Sequence, residues 1–314
     1  MKAILLRNYG EANKLLEVDV QVPSCGPQDV LVEVHAAGVT LTDVQIRKGF
    51  FAGVWGLNPP FIPGWDYSGR VAHIGANVTQ FQPDDRVFGM LLAQGAYAEY
   101  LVAGPENVCR MPDDWSFAEA AAFPLAATTA YKAIVEAGSL RRGERLLVLG
   151  ASGGVGSFAI LTGLALGAHV TGSASESKLS YILGLGADAL PSDPNPSLWP
   201  AHSADLIFDG IGPSMDAVIG QCLRPGGRVV RISGPPPSVA ALQAQGIAAQ
   251  FVGTEPNAER LRQVAQLALQ HNWKIPVDRT YPLAGVRQAQ EALERRTARG
   301  KVVLQIRDDL SSHA

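Results

Sequence analysis

The chain has 314 residues, 47% hydrophobic and 18% charged, with 33 glycines, 21 prolines and a formal net charge of −3. That length exceeds one ordinary core and predicts two domains. The apolar content excludes a disordered chain, and a charge so close to neutral gives no reason to expect nucleic acid as a partner. Cys25, Cys109 and Cys222 lie far apart without paired spacing, so a reducing compartment is expected rather than a disulfide frame or a cysteine metal cluster. Residues 1–7 lack the apolar core of a signal peptide. No apolar run approaches the roughly 20 residues that span a bilayer, and the expectation is a cytoplasmic protein.

Residues 1–118 read as a compact β-domain: short alternating segments at 30–36, 69–74 and 86–90 are separated by turns rich in Gly, Pro and Asp. A short helix is expected over 42–48, with Thr42 or Asp43 near its cap. From Ser116 the pattern turns helical over 117–123 and, beyond Pro124, over 125–137, and Ser116 with Glu119 has capping-box spacing. A domain junction is expected near residue 118.

The most informative stretch follows. The apolar run Leu146-Leu147-Val148-Leu149 meets Gly150, Ala151, Ser152, Gly153, Gly154, Val155 and Gly156, and helical spacing resumes over 158–166. Glycine reaches backbone angles that side chains forbid and lets main-chain N–H groups approach a phosphate. The following helix adds a partial positive charge of about half a unit. These seven residues are therefore assigned to a pyrophosphate seat, although Gly-x-Gly-x-x-Gly fits only with Ala151 in the first place. The alternative is a glycine turn kept only for helix packing. Further strand-like runs at 168–172, 205–209 and 228–232, with helix-compatible segments between, predict a doubly wound parallel α/β sheet.

An acid that would bind ribose hydroxyls is expected at the end of the second strand of such a sheet. Ser173 and Ser175 stand there instead, with Lys178 nearby to meet a 2′-phosphate, so NADPH is expected over NADH. Glu176 argues mildly the other way, and the weaker alternative for Lys178 is a solvated first-turn lysine. Gly210 and Gly212 are expected to form a second turn of the sort that lines a dinucleotide at a strand end, and Ser233 to open a stiff proline loop over 233–237 near the nicotinamide, the alternative being a mere spacer. A strand at 251–253, a helix over 258–270, a return segment at 273–279, a helix over 284–299, a final strand at 301–306 and a frayed end at 311–314 complete the reading.

Several motifs in order carry a family resemblance: Ala36-Ala37-Gly38-Val39 with Asp43, Pro63-Gly64-Trp65-Asp66-Tyr67-Ser68-Gly69, Asp85-Arg86-Val87, Gly95-Ala96-Tyr97-Ala98-Glu99-Tyr100, Pro124-Leu125-Ala126-Ala127-Thr128-Thr129-Ala130-Tyr131, the glycine turn, Leu223-Arg224-Pro225-Gly226-Gly227-Arg228 and Gly300-Lys301-Val302-Val303-Leu304. Together they resemble the medium-chain dehydrogenase/reductase superfamily, specifically its zinc-free quinone oxidoreductase branch. The resemblance implies a GroES-like β-domain over 1–118, a Rossmann NADP-binding domain over 119–270 and a return to the first domain over 271–314. It places the active site in the cleft between the domains and implies a homodimer paired through the outer strand of the Rossmann sheet. Related alcohol dehydrogenases hold catalytic zinc through a Cys and a His where this chain has Thr40 and Trp65. Neither can replace those ligands, so no metal is expected.

By the same resemblance, Thr40, Gln45 and Thr129 stand near the nicotinamide, Trp65 faces the cleft and Tyr67 is a candidate proton donor. Thr40 reads equally as a local cap and Tyr67 equally as a core residue, while the weaker alternative for Thr129 is a helix-interior threonine bonding its own carbonyl. Asp43 and Asp66 read better as caps or ion-pair partners than as acids. Phe50, Phe51, Trp55, Phe61 and Trp65 form either an apolar wall for a flat substrate or part of the β-domain core. The function expected is a metal-free, NADPH-dependent reductase passing hydride to a quinone or an α,β-unsaturated carbonyl, whose oxyanion needs only hydrogen-bond donors. The alternatives are an enoyl reductase of a biosynthetic pathway and an NADPH-binding regulatory or interaction protein with little turnover.

Overall fold

The computed structural model describes residues 1–92, 94–234 and 236–307, without the side chains of Trp55, Pro236 and Pro237. The frayed end expected at 311–314, and Pro235 of the expected stiff loop, lie outside the described residues. Two compact units emerge: one comprises Met1–Leu125, Glu255–Gln266 and the chain from Lys274 onward, the other Ala126–Thr254 and Leu267–Trp273.

In the first unit, β1 (Lys2–Leu6) and β2 (Leu15–Asp19) form an antiparallel ribbon. The strand β3 (Val30–Val39) alternates between buried and half-buried as far as Val34 and is buried from there to its end. Alternation is what one solvated face produces, and a continuous buried run requires cover on both. Helix α1 (Leu41–Arg47) follows directly, then β4 (Asp66–Ile74), β5 (Arg86–Met90), β6 (Tyr100–Ala103) and β7 (Val108–Arg110). The cover for β3 is α2 (Phe117–Ala122), which approaches so closely that a Cβ on Gly38 would fall 2.4 Å from the Ala121 carbonyl oxygen. The Ser68 hydroxyl donates to the Phe117 carbonyl at 2.6 Å. This packing moves the boundary expected near residue 118 to Leu125. The capping box of Ser116 and Glu119 is present as read.

Pro124 opens α3 (Pro124–Tyr131), which continues as a π-helical stretch over Lys132–Ala137. The second unit then alternates strand and helix: β8 (Arg145–Leu149), α4 (Gly154–Ala165), β9 (His169–Ala174), α5 (Leu179–Gly184), β10 (Asp188–Pro191), β11 (Ala204–Asp209), α6 (Asp216–Cys222), β12 (Leu223–Arg231), α7 (Ala240–Ala244) and β13 (Ala248–Phe251). The strands are all parallel and lie in the order β10-β9-β8-β11-β12-β13, the doubly wound order in which direction reverses between β8 and β11. Both central strands are apolar runs, buried from Leu146 in β8 and throughout β11, as parallel strands covered on two faces must be.

After β13 come α8 (Ala258–Gln270), β14 (Val277–Pro282), α9 (Val286–Glu294) and β15 (Lys301–Gln305). The helix expected over 284–299 is shorter because Arg296 adopts φ +53°, a left-handed conformation that a helix cannot continue through. Strand β15 pairs antiparallel with β3, Val302 opposite Val39, and completes a first-unit sheet ordered β14-β15-β3-β4-β5-β7 with β6 also on β3. Among the described residues, no helix is long and apolar enough to cross a membrane.

Candidate functional site

The switch point in the second unit carries the glycine turn. Gly150 leaves β8 with φ +77°, where a side chain would be strained. A Cβ on Gly156 would lie 2.3 Å from the Gly150 carbonyl oxygen, so this glycine lets α4 sit on the turn. Gly153 differs from both. Its φ of −81° suits any residue, and an added Cβ would make only an ordinary contact at 3.4 Å. Nothing inside the unit demands glycine there, and Gly153 is exposed at the N-cap of a 12-residue helix with no side chain capping it. The first N–H groups of α4 have no side-chain acceptor at the cap, which suits a phosphate. The residues therefore fit a dinucleotide.

The neighbouring loop completes the rim. Asp209 ends β11 fully buried, and its Oδ1 accepts the Ile211 and Gly212 N–H groups at 2.9 Å each. A Cβ on Gly150 would meet Ile211 Cγ1 at 3.4 Å, so turn and loop are neighbours. The Ser233 hydroxyl, just beyond β12, donates to the Ile211 carbonyl at 3.0 Å. Residues 150–156, Gly210, Gly212 and Ser233 thus gather at the C-terminal edge of the sheet.

At the end of β9 the expectation needs correction. Ser173 is 0% exposed, and its carbonyl accepts the Ala151 N–H at 2.9 Å, so it shapes the glycine turn and its hydroxyl is out of reach of a ribose. Ser175 and Glu176 are exposed, and Lys178 is half-buried at the end of the turn Glu176–Lys178. Thr129 on α3 is buried, and its hydroxyl donates to Thr254 Oγ1 at 2.7 Å.

The candidates in the first unit are largely committed to structure. Thr40, rather than Thr42 or Asp43, caps α1: its Oγ1 accepts the Asp43 N–H at 3.1 Å and donates to Asp43 Oδ2 at 2.7 Å, while that oxygen also accepts the Thr40 N–H. Its hydroxyl proton is engaged, which corrects its expected role as a donor to substrate. Gln45 is exposed on α1. Trp65 is only 2% exposed and belongs to the same hydrophobic core cluster as Phe61. Tyr67 is fully buried, donates to the Asn107 carbonyl at 2.9 Å, and has its phenol pushed well above the ordinary value by burial; it is not a proton donor to substrate. Of the expected aromatic wall, Phe50 is 76% exposed and Phe51 is half-buried, while the Trp55 side chain lies outside the described residues.

Burial also raises the two buried aspartates of this unit, Asp43 and Asp66. Asp43 is pushed up to about 6, opposed by its bonds to Thr40. Asp66 is raised by burial against the opposing pull of Lys301, whose Nζ lies 3.1 Å from Oδ2, while Oδ1 accepts the Leu125 N–H at 2.8 Å. Sequence reasoning missed Lys301 because no local spacing links residues 235 positions apart. Among the described residues, no group of three or more His, Cys, Asp or Glu side chains converges to hold a metal ion.

A doubly wound sheet with a glycine turn at its switch point, in a chain whose other unit is a mostly antiparallel β-sheet, agrees with the family matches, which give the class as an oxidoreductase of the dehydrogenase type. Residues 26–129 match the alcohol dehydrogenase GroES-like domain, and residues 185–304 match the zinc-binding dehydrogenase family. A quinone oxidoreductase of Lama guanicoe is 31% identical over 97% of both chains. The 2-methylene-furan-3-one reductase of Solanum lycopersicum is 33% identical over 97% of this chain and 79% of its own. The solved quinone oxidoreductase of Coxiella burnetii superposes with a TM-score of 0.90 at 27% identity, covering 98% of this chain and 99% of its own. The chain belongs to the medium-chain dehydrogenase/reductase superfamily, in its quinone oxidoreductase branch.

Proposed function

We propose that this oxidoreductase is NADPH-dependent and zinc-independent and reduces a quinone or an α,β-unsaturated carbonyl. The observation that carries the reading is the open Gly153 corner at the N-terminus of α4, beside the loop of Gly210 and Gly212. Residues 150–156 would hold the pyrophosphate, Ser175 and Lys178 the 2′-phosphate, and Gly210, Gly212 and Ser233 the nicotinamide half. When bound, the cofactor supplies hydride. Support for zinc-independence comes from the donor set: Thr40 spends its hydroxyl on Asp43, and Trp65 is an indole packed in the core. Without a Lewis acid, an acceptor whose oxyanion is already delocalised is the reasonable partner. With Tyr67 turned inward, the proton that follows comes from water. The names of the two curated relatives describe reductions of these acceptor classes, a quinone in one and an enone in the other. The homodimer is proposed through β13, which ends the sheet order of the second unit.

The test is cofactor oxidation by EDTA-treated protein with a naphthoquinone, a simple enone, an enoyl thioester and an aldehyde. Turnover of the quinone or the enone is expected. Activity confined to the aldehyde, or appearing only after zinc is added, would contradict the reading.

A further inference from the structure

The second unit buries a charged residue that the proposed chemistry does not use. Arg231 ends β12 and is 0% exposed. Its Nε donates to Asp209 Oδ2 at 2.6 Å, one terminal nitrogen donates to the carboxylate of Asp216 at the start of α6, and the other donates to the Ser238 carbonyl. A buried ion pair is a poor source of stability, since apolar residues of similar volume often serve as well. What the planar guanidinium supplies is geometry, a rigid fork that fixes several acceptors at once.

Those acceptors belong to the rim of the candidate site. Asp209 uses its other oxygen to hold the Ile211 and Gly212 N–H groups. The Ile211 carbonyl accepts the Ser233 hydroxyl, and the Ser233 carbonyl accepts the Ser238 hydroxyl at 3.3 Å. From Ser238 the circuit returns to Arg231. A closed ring of hydrogen bonds therefore joins the segments after β11 and β12. In a doubly wound sheet, each half binds one mononucleotide, and this ring lies wholly in the half built from β11, β12 and β13.

We propose that Arg231 is a positioning residue for the nicotinamide half of the cofactor: through Asp209 and Ser238 it holds the segments of Gly212 and Ser233 in the shape that receives that half. The adenine half binds independently, at residues 150–156 and the end of β9. This inference rests on the dinucleotide reading given under Proposed function.

The experiment titrates NADPH and its fragment 2′,5′-ADP against wild type, Arg231→Met, Asp209→Asn and Ser233→Ala, with thermal unfolding of each. Arg231→Met should weaken NADPH about tenfold or more while 2′,5′-ADP stays within about twofold, because the lost bonds touch one half only. Ser233→Ala opens the ring at a single neutral bond and should weaken NADPH by roughly threefold. A folded Arg231→Met with unchanged NADPH affinity overturns the proposal, as does an equal loss for both ligands, which is what a merely structural role would give. Should Arg231→Met fail to fold, Asp209→Asn and Ser233→Ala decide: unchanged NADPH affinity in both overturns it. A wild-type chain that binds neither NADPH nor NADH removes the underlying reading and the proposal with it, and this is seen before any variant is made.

Discussion

The two units use polar residues in opposite ways. In the second, the candidate site is made mostly of main chain: Gly150 in a left-handed conformation, an exposed Gly153 at the cap of α4, and a loop at Ile211 and Gly212 whose N–H groups are held by a buried aspartate. In the first, Thr40, Tyr67, Asp43 and Asp66 all turn inward and spend their hydrogen bonds on a helix cap, a main-chain carbonyl and an ion pair. The difference shows that a polar residue inside a family motif is as often holding the motif as acting through it. Glycines at a turn leave fewer alternatives, because the backbone itself is what the ligand meets.

Substitutions sharpen this contrast. The largest effect is expected for Gly156→Val, whose Cβ would lie 2.3 Å from the Gly150 carbonyl oxygen, with the backbone of Ala151 close behind. The turn must open, at a cost of a few kcal/mol, and cofactor titration should find binding lost while the first unit remains folded by hydrogen exchange. Lys301→Met leaves Asp66 buried and unpaired, which should cost about 3–5 kcal/mol in urea unfolding. Thr40→Ala removes a capping oxygen and should cost about 1 kcal/mol of stability. It should leave the KM for the acceptor within twofold; a loss confined to turnover would return Thr40 to the chemistry.

Asp43 gives a pH signature for the inward-turned group. Its carboxyl is pushed from the ordinary 3.8 to about 6 by burial among Thr40, Tyr97 and Asp66. The folded chain therefore holds that proton more tightly than the unfolded one. The resulting stabilisation is fully present below about pH 4 and is lost as the pH rises through about 6. Asp43→Asn removes this contribution, so the stability of the variant relative to wild type should rise across that window. A flat difference would mean that the carboxylate is not desolvated.

Much of this was legible in advance where one local rule decides the outcome. Helix α8 follows its apolar spacing over Ala258–Gln270, and β5 forms over Arg86–Met90 as expected, although it is buried continuously from Val87 rather than alternating. Strand β10 escaped because Asp188–Pro191 is a short edge strand with neither an apolar run nor a fully buried residue. Strand β13 was placed late because Ala248, Ala249 and Gln250 lack the β-branched or aromatic side chains that mark a strand. The sequence offers Thr40 as a local cap, and its capping box with Asp43 has the same three-residue spacing as Ser116 and Glu119; only the pairing was hidden, by an aspartate in place of the usual glutamate. The glycine turn was readable, but the burial of Ser173 depends on its carbonyl meeting Ala151 across a sheet. Likewise, Arg231 with Asp209 and Lys301 with Asp66 are pairings of tertiary structure, which periodicity does not encode.

The central claim is a seat for NADPH in the second unit, and the most direct measurement is a calorimetric titration of the purified chain with NADPH and, separately, NADH. The account predicts NADPH binding at least about tenfold tighter, with the preference falling in Lys178→Ala as one charge-assisted contact is lost. NADH binding equal to or tighter than NADPH would contradict it.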